Sequence, residues 1–384
     1  MKKIWPFSFY FLYFAAFASL LPFFVLFYQQ LGFNGTQIGL LAGVPPLITI
    51  FCAPLGTSLA DSTRRHKLIM GLGLFAAIVT VLLLSQTKSF MGVFILIALF
   101  NVFISPVGSL SDSGTMSMLG EERSMYGRVR MGGTIGWGLF APIAGGMVQN
   151  YGLKIAFFVF SAIMFLNLFV SQKFNFSGAE AHEPKSGGIR QLLTDRRWVV
   201  FLVFAFLGGI GVFSVAAYLY PYMAELGATE TTMGIGLTIA TLTEFPIFFF
   251  GNRLVKRFGS YGLFMIALVL IGVRSLLYGV ADSPTMVLLV QVFSGMVFPA
   301  MWLAGVSYAD ENAPPGLKST AQGVFGAMTF GFGSAVGGFI GGLLLESMGG
   351  RGMFIVLGIV ILAGLILVEG VRRLIPEKAV LQTE

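Results

Sequence analysis

Long apolar stretches follow one another along the whole chain, and they constrain its fold more than any other feature. Twelve can be delimited, at about 7–29, 37–60, 68–86, 90–118, 128–149, 154–172, 198–224, 231–251, 261–281, 285–309, 319–346 and 351–373. A helix crosses the ~30 Å hydrocarbon core of a bilayer with about 20 apolar residues, and lipid tolerates only helices and closed barrels. These stretches are too long for barrel strands, so the sequence predicts an all-α protein with twelve transmembrane helices in a lipid bilayer.

The composition and the placement of charge support this fold and exclude other classes of protein. Hydrophobic residues make up 56% of the chain, charged residues 11%, and the mean hydropathy is +0.86. Most of the 24 Lys and Arg residues fall in segments on one side of the predicted helices. This positive-inside bias predicts cytoplasmic N- and C-termini in a multi-pass plasma (inner) membrane protein. The net charge of +7 therefore does not indicate a nucleic-acid partner.

Residues for enzymatic or metal chemistry are scarce. Cys52 is the only cysteine, which leaves no internal disulfide, and His66 and His182 are the only histidines. No phosphate-cradle motif and no Ser-His-Asp arrangement is found, so the sequence predicts neither an enzyme nor a cofactor, a metal or ATP drive.

The chain divides into two similar halves. A Pro-, Gly- and charge-rich segment at 173–197 is predicted to be a cytoplasmic linker between helical bundles at 1–172 and 198–384. LGFNGTQIG at 31–39 matches LGATETTMG at 226–234, and the matching residues keep a constant offset between the halves. Two six-helix bundles in the same orientation form a parallel repeat, which places a binding site near the membrane midplane between the bundles.

Ionisable side chains inside the apolar stretches are the candidates for function. A charge at membrane depth costs about 2.5–3.5 kcal/mol on insertion scales, so it normally faces a cavity or a partner. Five such residues occur: Asp112, Arg130, Glu244, Arg274 and Glu369. Glu369 lies three and four residues before Arg372 and Arg373, and we expect it to pair with them at a helix end.

In the first half, Asp112 and Arg130 flank a short loop between neighbouring helices, so they are expected within ion-pair reach. The carboxylate and the guanidinium could bind a hydroxylated solute, or they could form a structural clamp between the two helices. Trp137 lies two helical turns beyond Arg130 on the same face and could stack on a ring of the solute.

In the second half, Glu244 and Arg274 form the matching set. Glu244 is the first candidate for a proton carrier and Asp112 the second, because a carboxyl in apolar surroundings can take up and release a proton as those surroundings change. The alternative for Glu244 is a permanent ion pair with Arg274.

The segment after the second stretch resembles the signature loop of the major facilitator superfamily. The matching residues are Gly56, Leu59-Ala60-Asp61 and the basic cluster Arg64, Arg65 and Lys67. The resemblance implies a gating loop in which Asp61 is held by basic groups and a helix end. The alternative is a basic turn that only sets the topology.

A closer resemblance is to the branch of that superfamily with the lactose permease and the nucleoside and phenylpropionate permeases. Residues 126–138, YGRVRMGGTIGWG, match the opening of the fifth span there. The resemblance implies that Arg130 and Trp137 bind solute, and that Asp112, Glu244 and Arg274 complete the site. Ser294 and Val297 stand where the lactose permease has the His and Glu of proton coupling.

Together these features predict a monomeric secondary active transporter that moves a small-molecule substrate with protons by alternating access. A saccharide or nucleoside is the expected solute, and an aromatic or other small carboxylate is the alternative, since two arginines could hold an anion. Efflux or uncoupled facilitation is a second alternative, favoured by the missing His-Glu pair. A non-transporting sensor built on the same fold is a third.

Overall fold

The structure is a computed structural model that describes residues 3–176, 188–314 and 316–374, and its regular elements are helices. They are α1 (Ile4–Leu20), α2 (Phe24–Gln30), α3 (Gly35–Thr63), α4 (His66–Leu84), α5 (Phe90–Leu119), α6 (Tyr126–Tyr151), α7 (Lys154–Ser171), α8 (Gly188–Thr194), α9 (Arg196–Glu225), α10 (Glu230–Phe258), α11 (Ser260–Val280), α12 (Pro284–Asn312), α13 (Lys318–Gly326) and α14 (Ser334–Leu374). Short 3₁₀ turns occupy Leu21–Phe23 and Gly120–Met125, and a π-helical segment occupies Ala327–Gly333.

Within the described residues, ten helical stretches are long and apolar enough to cross a membrane. Two of them, Phe90–Tyr151 of 62 residues and Lys318–Leu374 of 57 residues, are about twice as long as single stretches such as Gly35–Thr63 of 29 residues. Each contains a break: the first has non-helical backbone at Glu122, and the second has a left-handed glycine, Gly349, with φ 69°. The all-helical architecture predicted from the apolar stretches is therefore confirmed.

Helices α3 and α10, which occupy corresponding places in the two halves of the chain, begin in the same way. Gly32 and Gly227 have φ of 76° and 80°, a conformation that favours glycine, and each lies two residues before a helix N-cap. The side chains of Asn34 and Thr229 accept hydrogen bonds from backbone N–H groups in the first turn of their helices. The matching sequence at 31–39 and 226–234 thus encodes one turn-and-cap structure used twice.

The N-terminal helices (α1–α7) and the C-terminal helices (α9–α14) meet chiefly along two helix pairs, α3 with α14 and α6 with α10, and α2 also contacts α9. The Gly35 N–H donates to a carboxylate oxygen of Glu346 at 2.7 Å. The hydroxyls of Thr231 and Thr238 donate to Gln149 and to the Gly138 carbonyl, at 2.6 and 2.7 Å. We call the end of the bundle that contains Gly35, Gln149 and Glu230 the closed end.

The other end contains the junctions after α3, before α6 and after α10, and we call it the basic end. Arg64, Arg128 and Arg257 lie there. The predicted gating loop is mostly helical, which corrects the sequence interpretation: Gly56 and Asp61 belong to α3, Lys67 belongs to α4, and only Arg64 and Arg65 lie between the two helices. Arg64 ends α3 in the left-handed conformation, with φ 53°.

The predicted linker at 173–197 is only partly described. Residues 177–187 lie outside the described residues. Within the predicted linker, α8 occupies Gly188–Thr194 and α9 begins at Arg196, where the Asp195 side chain caps the first turn. The C-terminal part of this segment is therefore helical, and the Asp195 cap starts α9 at Arg196, two residues before the predicted start at 198.

Candidate functional site

The helical register of α6 places its predicted site residues on the interior side. The side facing lipid is marked by the exposed residues Met131, Ile135 and Leu139. At about 100° per residue, Arg130 and Trp137 lie at least about 100° around the helix from that side. They fall between the stripe packed on α1 and the stripe packed on α10. Both side chains are only half-buried, so they line open space inside the bundle.

The register of α10 places Glu244 on the interior side as well. Leu242 and Phe249 are 61% and 82% exposed and face lipid, and Glu244 lies about 140–160° away from them. The residues packed against α6 and α12 flank it on either side: Gly234, Thr238 and Thr241 toward α6, and Gly236, Ala240 and Thr243 toward α12. Helices α6 and α10 therefore present ionisable groups to one interior space.

Asp112 is anchored by two tyrosines. One of its carboxylate oxygens accepts hydrogen bonds from the phenol groups of Tyr10 at 2.6 Å and Tyr126 at 3.0 Å. The Thr115 hydroxyl donates to the Tyr10 oxygen at 3.2 Å, which completes a chain of polar groups linking α1, α5 and α6. The carboxylate is thus held by neutral hydroxyl donors, and among the described residues no ion pair within 4 Å joins it to a cation.

Arg130 packs on aromatic rings instead of on Asp112. Its guanidinium carbon lies 4.3 Å from the ring centroid of Phe14 and 4.9 Å from that of Tyr10, within cation–π range. Phe14 also meets Trp137 edge to face at 6.4 Å, which confirms that Arg130 and Trp137 share one face of α6. Among the described residues, no ion pair within 4 Å joins Arg130 to Asp112, so the predicted pairing is wrong for this conformation.

Glu244 has no hydrogen-bond or ion-pair partner within the described parts of the chain and is half-buried. The alternative of a permanent ion pair with Arg274 is therefore wrong in this conformation. An unpartnered carboxyl that faces interior space can change its protonation without breaking an existing contact. This property distinguishes Glu244 from Asp112, whose carboxylate already accepts two phenol hydrogen bonds.

Arg274 is a buried cation inside the C-terminal helices, with 3% of its surface exposed. Its guanidinium donates to the Gly211 carbonyl at 3.1 Å and to the Ser294 hydroxyl at 3.2 Å, and its Nε has no partner in the described part of the chain. Next to it, the Tyr278 hydroxyl donates to the side chain of Gln291 at 2.9 Å. Arg274 thus lies behind the interior surface rather than on it, and it contacts the serine that replaces the expected histidine.

Replacement of Arg274 tests how much the buried guanidinium lowers the stability of the fold. Burying a charge without an opposite charge is expensive, and apolar residues of similar volume are often as stable or more stable at such sites. We expect Arg274→Met to keep or raise the midpoint of thermal unfolding in detergent. Arg274→Ala, which leaves a cavity, should lower it. A fall of several degrees for Arg274→Met would contradict this account of the cation.

The junction between α3 and α4 pairs Asp61 with a residue that the sequence interpretation left without a role. His66 Nε2 lies 2.8 Å from a carboxylate oxygen of Asp61, and the imidazole stacks on Phe176 with 5.0 Å between ring centroids. The expectation that Arg64, Arg65 and Lys67 hold Asp61 is therefore wrong here. The Arg64 N–H does donate to the Asp61 carbonyl, so the helix end is capped locally.

The predicted pairing of Glu369 with Arg372 and Arg373 is confirmed. Its carboxylate pairs with Arg372 at 2.8 Å and with Arg373 at 3.2 Å, and it accepts a hydrogen bond from the Tyr261 hydroxyl at 2.5 Å. This cluster fixes the end of α14 to the start of α11. It is separate from the interior group on α6 and α10.

Sequence reasoning missed the aromatic residues that hold the first-half group. Tyr10 and Tyr126 bind Asp112, and Phe14 bridges Arg130 and Trp137. The only available signal was helical spacing, since Tyr10 and Phe14 are four residues apart on α1 and therefore share a face. With 14% aromatic residues in the chain, that spacing did not distinguish them from packing residues.

Comparison with known proteins gives a consistent result. The model of the MFS_1 like family matches residues 4–356. The maltose permease of Geobacillus stearothermophilus is 28% identical over 352 residues, covering 90% of this chain and 88% of that protein. The probable 3-phenylpropionic acid transporter of Escherichia coli (strain K12) is 22% identical, covering 93% and 95%.

A crystal structure of the nucleoside transporter NupG superposes with a TM-score of 0.85 at 17% identity, covering 97% of this chain and 99% of that one. At that identity the superposition shows a shared fold. The family match extends over most of the chain and includes the helices that carry Asp112, Arg130, Glu244 and Arg274. This chain belongs to the MFS_1 like family and is a membrane transporter of the major facilitator superfamily.

Proposed function

We propose that this chain is a proton-coupled secondary transporter that carries a small polar organic solute by alternating access. The observation that carries the proposal is the placement of Arg130, Trp137 and Glu244. They lie on the interior sides of α6 and α10, away from lipid, and they remain only half-buried. A transporter needs such polar groups facing a space between two sets of helices, where a solute can replace the water.

The proposed architecture is twelve spans in two six-helix parallel repeats, 1–172 and 198–384, joined by the segment 173–197. It is supported by the two double-length helical stretches, each broken near its middle, and by the identical turn-and-cap structures at Gly32 and Gly227. The basic end is assigned to the cytoplasm of a plasma (inner) membrane by the positive-inside rule. The protein is proposed to work as a monomer.

The conformation is proposed to be inward-facing. The hydrogen bonds of Gly35, Thr231 and Thr238, which join the N-terminal helices to the C-terminal helices, lie toward the closed end. In contrast, Phe248 on the interior side of α10 is 50% exposed one turn beyond Glu244 toward the basic end. Transport would then require these contacts to break while the helices approach each other near Asp61, Arg64, Arg65 and Lys67, with Gly56 allowing close packing of α3 on Pro106.

Each site residue has a proposed role. Arg130 donates hydrogen bonds to solute oxygens, Asp112 accepts them from solute hydroxyls, and Trp137 stacks on a ring of the solute. Glu244 carries the proton, because it is the interior carboxyl without a partner among the described residues, and Asp112 is the second candidate. Arg274 supports the site from behind through Ser294, and it would reach the solute only if the C-terminal helices rearrange.

A saccharide is the first proposed solute class and a nucleoside is the second. The similarity to a maltose permease over 90% of this chain favours the saccharide, and the shared fold with a nucleoside transporter is compatible with either. A small aromatic carboxylate remains the alternative, since Arg130 carries no ion pair within the described residues and could hold an anion. Efflux or uncoupled facilitation would use the same site without Glu244 as a proton carrier.

Solute exchange in proteoliposomes tests the solute class. Labelled maltose, uridine and 3-phenylpropionate are each trapped inside and exchanged against the unlabelled compound. We expect exchange of maltose or uridine by the wild type, reduced at least about tenfold in Arg130→Ala, since a charge-assisted hydrogen bond contributes about 1.5–3 kcal/mol. Arg128→Ala removes an exposed arginine two residues away and is the matched control. No exchange of any compound by folded protein would favour the non-transporting sensor.

A further inference from the structure

Three aromatic side chains meet where the π-helical segment Ala327–Gly333 passes α12. The ring of Phe330 lies 5.1 Å from that of Trp302 and 6.0 Å from that of Phe298, both on α12. Phe330 is 41% exposed, and Trp302 and Phe298 are half-buried. These three residues form a continuous apolar surface, which we call the C-terminal aromatic wall.

The wall faces the interior of the bundle rather than lipid. On α12 the side facing lipid is marked by Leu289 and Met296, which are exposed, and Phe298 and Trp302 lie more than about 100° around the helix from it. The π-helical segment contacts the N-terminal helices, because Gly331 packs against Ile50 of α3. The wall therefore lies at the boundary between the N-terminal and the C-terminal helices.

The C-terminal aromatic wall packs against buried residues of the C-terminal helices. Phe325, which is fully buried, lies 5.4 Å from Trp302 and stacks on Phe201 at 5.5 Å. The π-helical turn is itself fixed by close backbone packing of Thr329 and Gly333 on Gly209 of α9. Such π-helical turns are frequent at functional sites, and Phe330 lies within this one.

The wall lies at the same depth as Trp137. Trp302 lies about three helical turns before the end of α12, and Phe330 lies about three turns after the start of α13. Trp137 lies about three turns after the start of α6. At a rise of about 1.5 Å for each residue, all three side chains lie about 15–18 Å from the basic end. An interior space at this level is thus bordered by an aromatic surface on each set of helices.

We propose that the C-terminal aromatic wall is a second ring-binding subsite and that the transported solute has two linked rings. This inference rests on the proposed function. One ring binds to Trp137 with its hydroxyls on Arg130 and Asp112, and the other stacks on Phe330 and Trp302. Aromatic side chains stack well on the apolar face of a pyranose or on a base. A one-ring solute would contact only Trp137, Arg130 and Asp112.

The first test concerns the orientation of the wall and needs no solute. Phe330→Cys in a Cys52→Ala background is treated with a membrane-impermeant maleimide from each side of the membrane. We expect labelling from the side of the basic end, because the thiol faces water there and can ionise. Phe249→Cys, which replaces a lipid-facing residue that is 82% exposed, is the control and should remain unlabelled. Absence of labelling at position 330 from both sides would overturn the proposal.

The second test compares solutes of one and two rings. Binding of maltose against glucose, and of uridine against ribose, is measured on the purified protein by equilibrium dialysis. We expect Phe330→Leu to weaken the two-ring member by about tenfold, the order of one lost stacking contact, and to leave the one-ring member unchanged. The lipid-facing variant Phe249→Leu should change neither. Equal weakening of both members, or of neither, would overturn the second subsite. If folded wild type binds none of the four, the saccharide or nucleoside class fails, and the two-ring solute fails with it.

Discussion

Gly145→Val is expected to separate the two sets of helices at the closed end and to stop transport. A Cβ atom at Gly145 would overlap the Glu230 carbonyl and come within 3.1 Å of the Thr231 Cα, both of which are backbone atoms at the start of α10. Backbone cannot move aside as a flexible side chain can, so α6 and α10 must part. A protein held open at this end cannot return to the conformation of this structure.

The neighbouring glycine provides a matched control for this variant. A Cβ at Gly146 would meet only the Thr231 hydroxyl, at 3.7 Å, which is ordinary contact. Spin labels are placed by Lys88→Cys and Asp282→Cys, two positions at the closed end, in a Cys52→Ala background. We expect a longer interlabel distance in Gly145→Val and an unchanged one in Gly146→Val. The same distance in both variants would mean that the α6–α10 contact does not control this end.

Glu244→Gln is expected to abolish uphill transport and to preserve exchange of solute. The amide has nearly the same shape as the carboxyl but cannot carry a proton through the membrane. Glu244 has no partner among the described residues, so its replacement breaks no contact and the protein should remain folded. Accumulation driven by an imposed pH gradient should fall to the equilibrium level, whereas exchange of labelled for unlabelled solute should stay within about twofold of the wild type.

The control for this variant is Glu230→Gln, at the first turn of the same helix near the closed end. It removes one acid from α10 without changing the interior group. Loss of accumulation in both variants would indicate a general effect of acid removal on α10. Retained accumulation in Glu244→Gln would assign proton transfer to Asp112, and Asp112→Asn would then be the variant to compare.

The helices could be predicted from sequence because hydropathy and helix caps are local signals. The stretch 90–118 corresponds to α5 at Phe90–Leu119, and 37–60 corresponds to α3 at Gly35–Thr63. The largest difference in bounds is at the end of α10, which extends to Phe258 although the predicted stretch ends at 251. A smaller difference lies at the junction after α3. There the chain turns within two residues, because Arg64 adopts a left-handed conformation that sequence patterns do not predict for arginine.

The interior location of the site residues was predictable, but their partners were not. A charge in an apolar stretch must avoid lipid, and this rule placed Arg130 and Glu244 correctly on interior-facing sides of their helices. Partner choice depends on the rotation of each helix against its neighbours. That rotation brings Tyr10 of α1 to Asp112, and it places Arg274 next to Ser294 rather than next to Glu244. The separation of two residues along the sequence does not predict this rotation.

The C-terminal aromatic wall was beyond sequence analysis for a related reason. Trp302 was one aromatic residue among many, and Phe330 stood in a Gly-rich segment without a distinctive pattern. Phe330 lies in the π-helical turn, and that turn packs closely against Gly209 of α9. A feature created by contact between distant helices becomes visible only in three dimensions.

The most direct test of the central claim is the movement of protons when maltose or uridine is added to de-energised vesicles that contain the wild-type protein. A proton-coupled importer carries protons inward with the solute, so the external medium should become alkaline with one of these solutes and should not change with Glu244→Gln. An unchanged external pH while the labelled solute still equilibrates across the membrane would contradict proton coupling and would identify an uncoupled carrier.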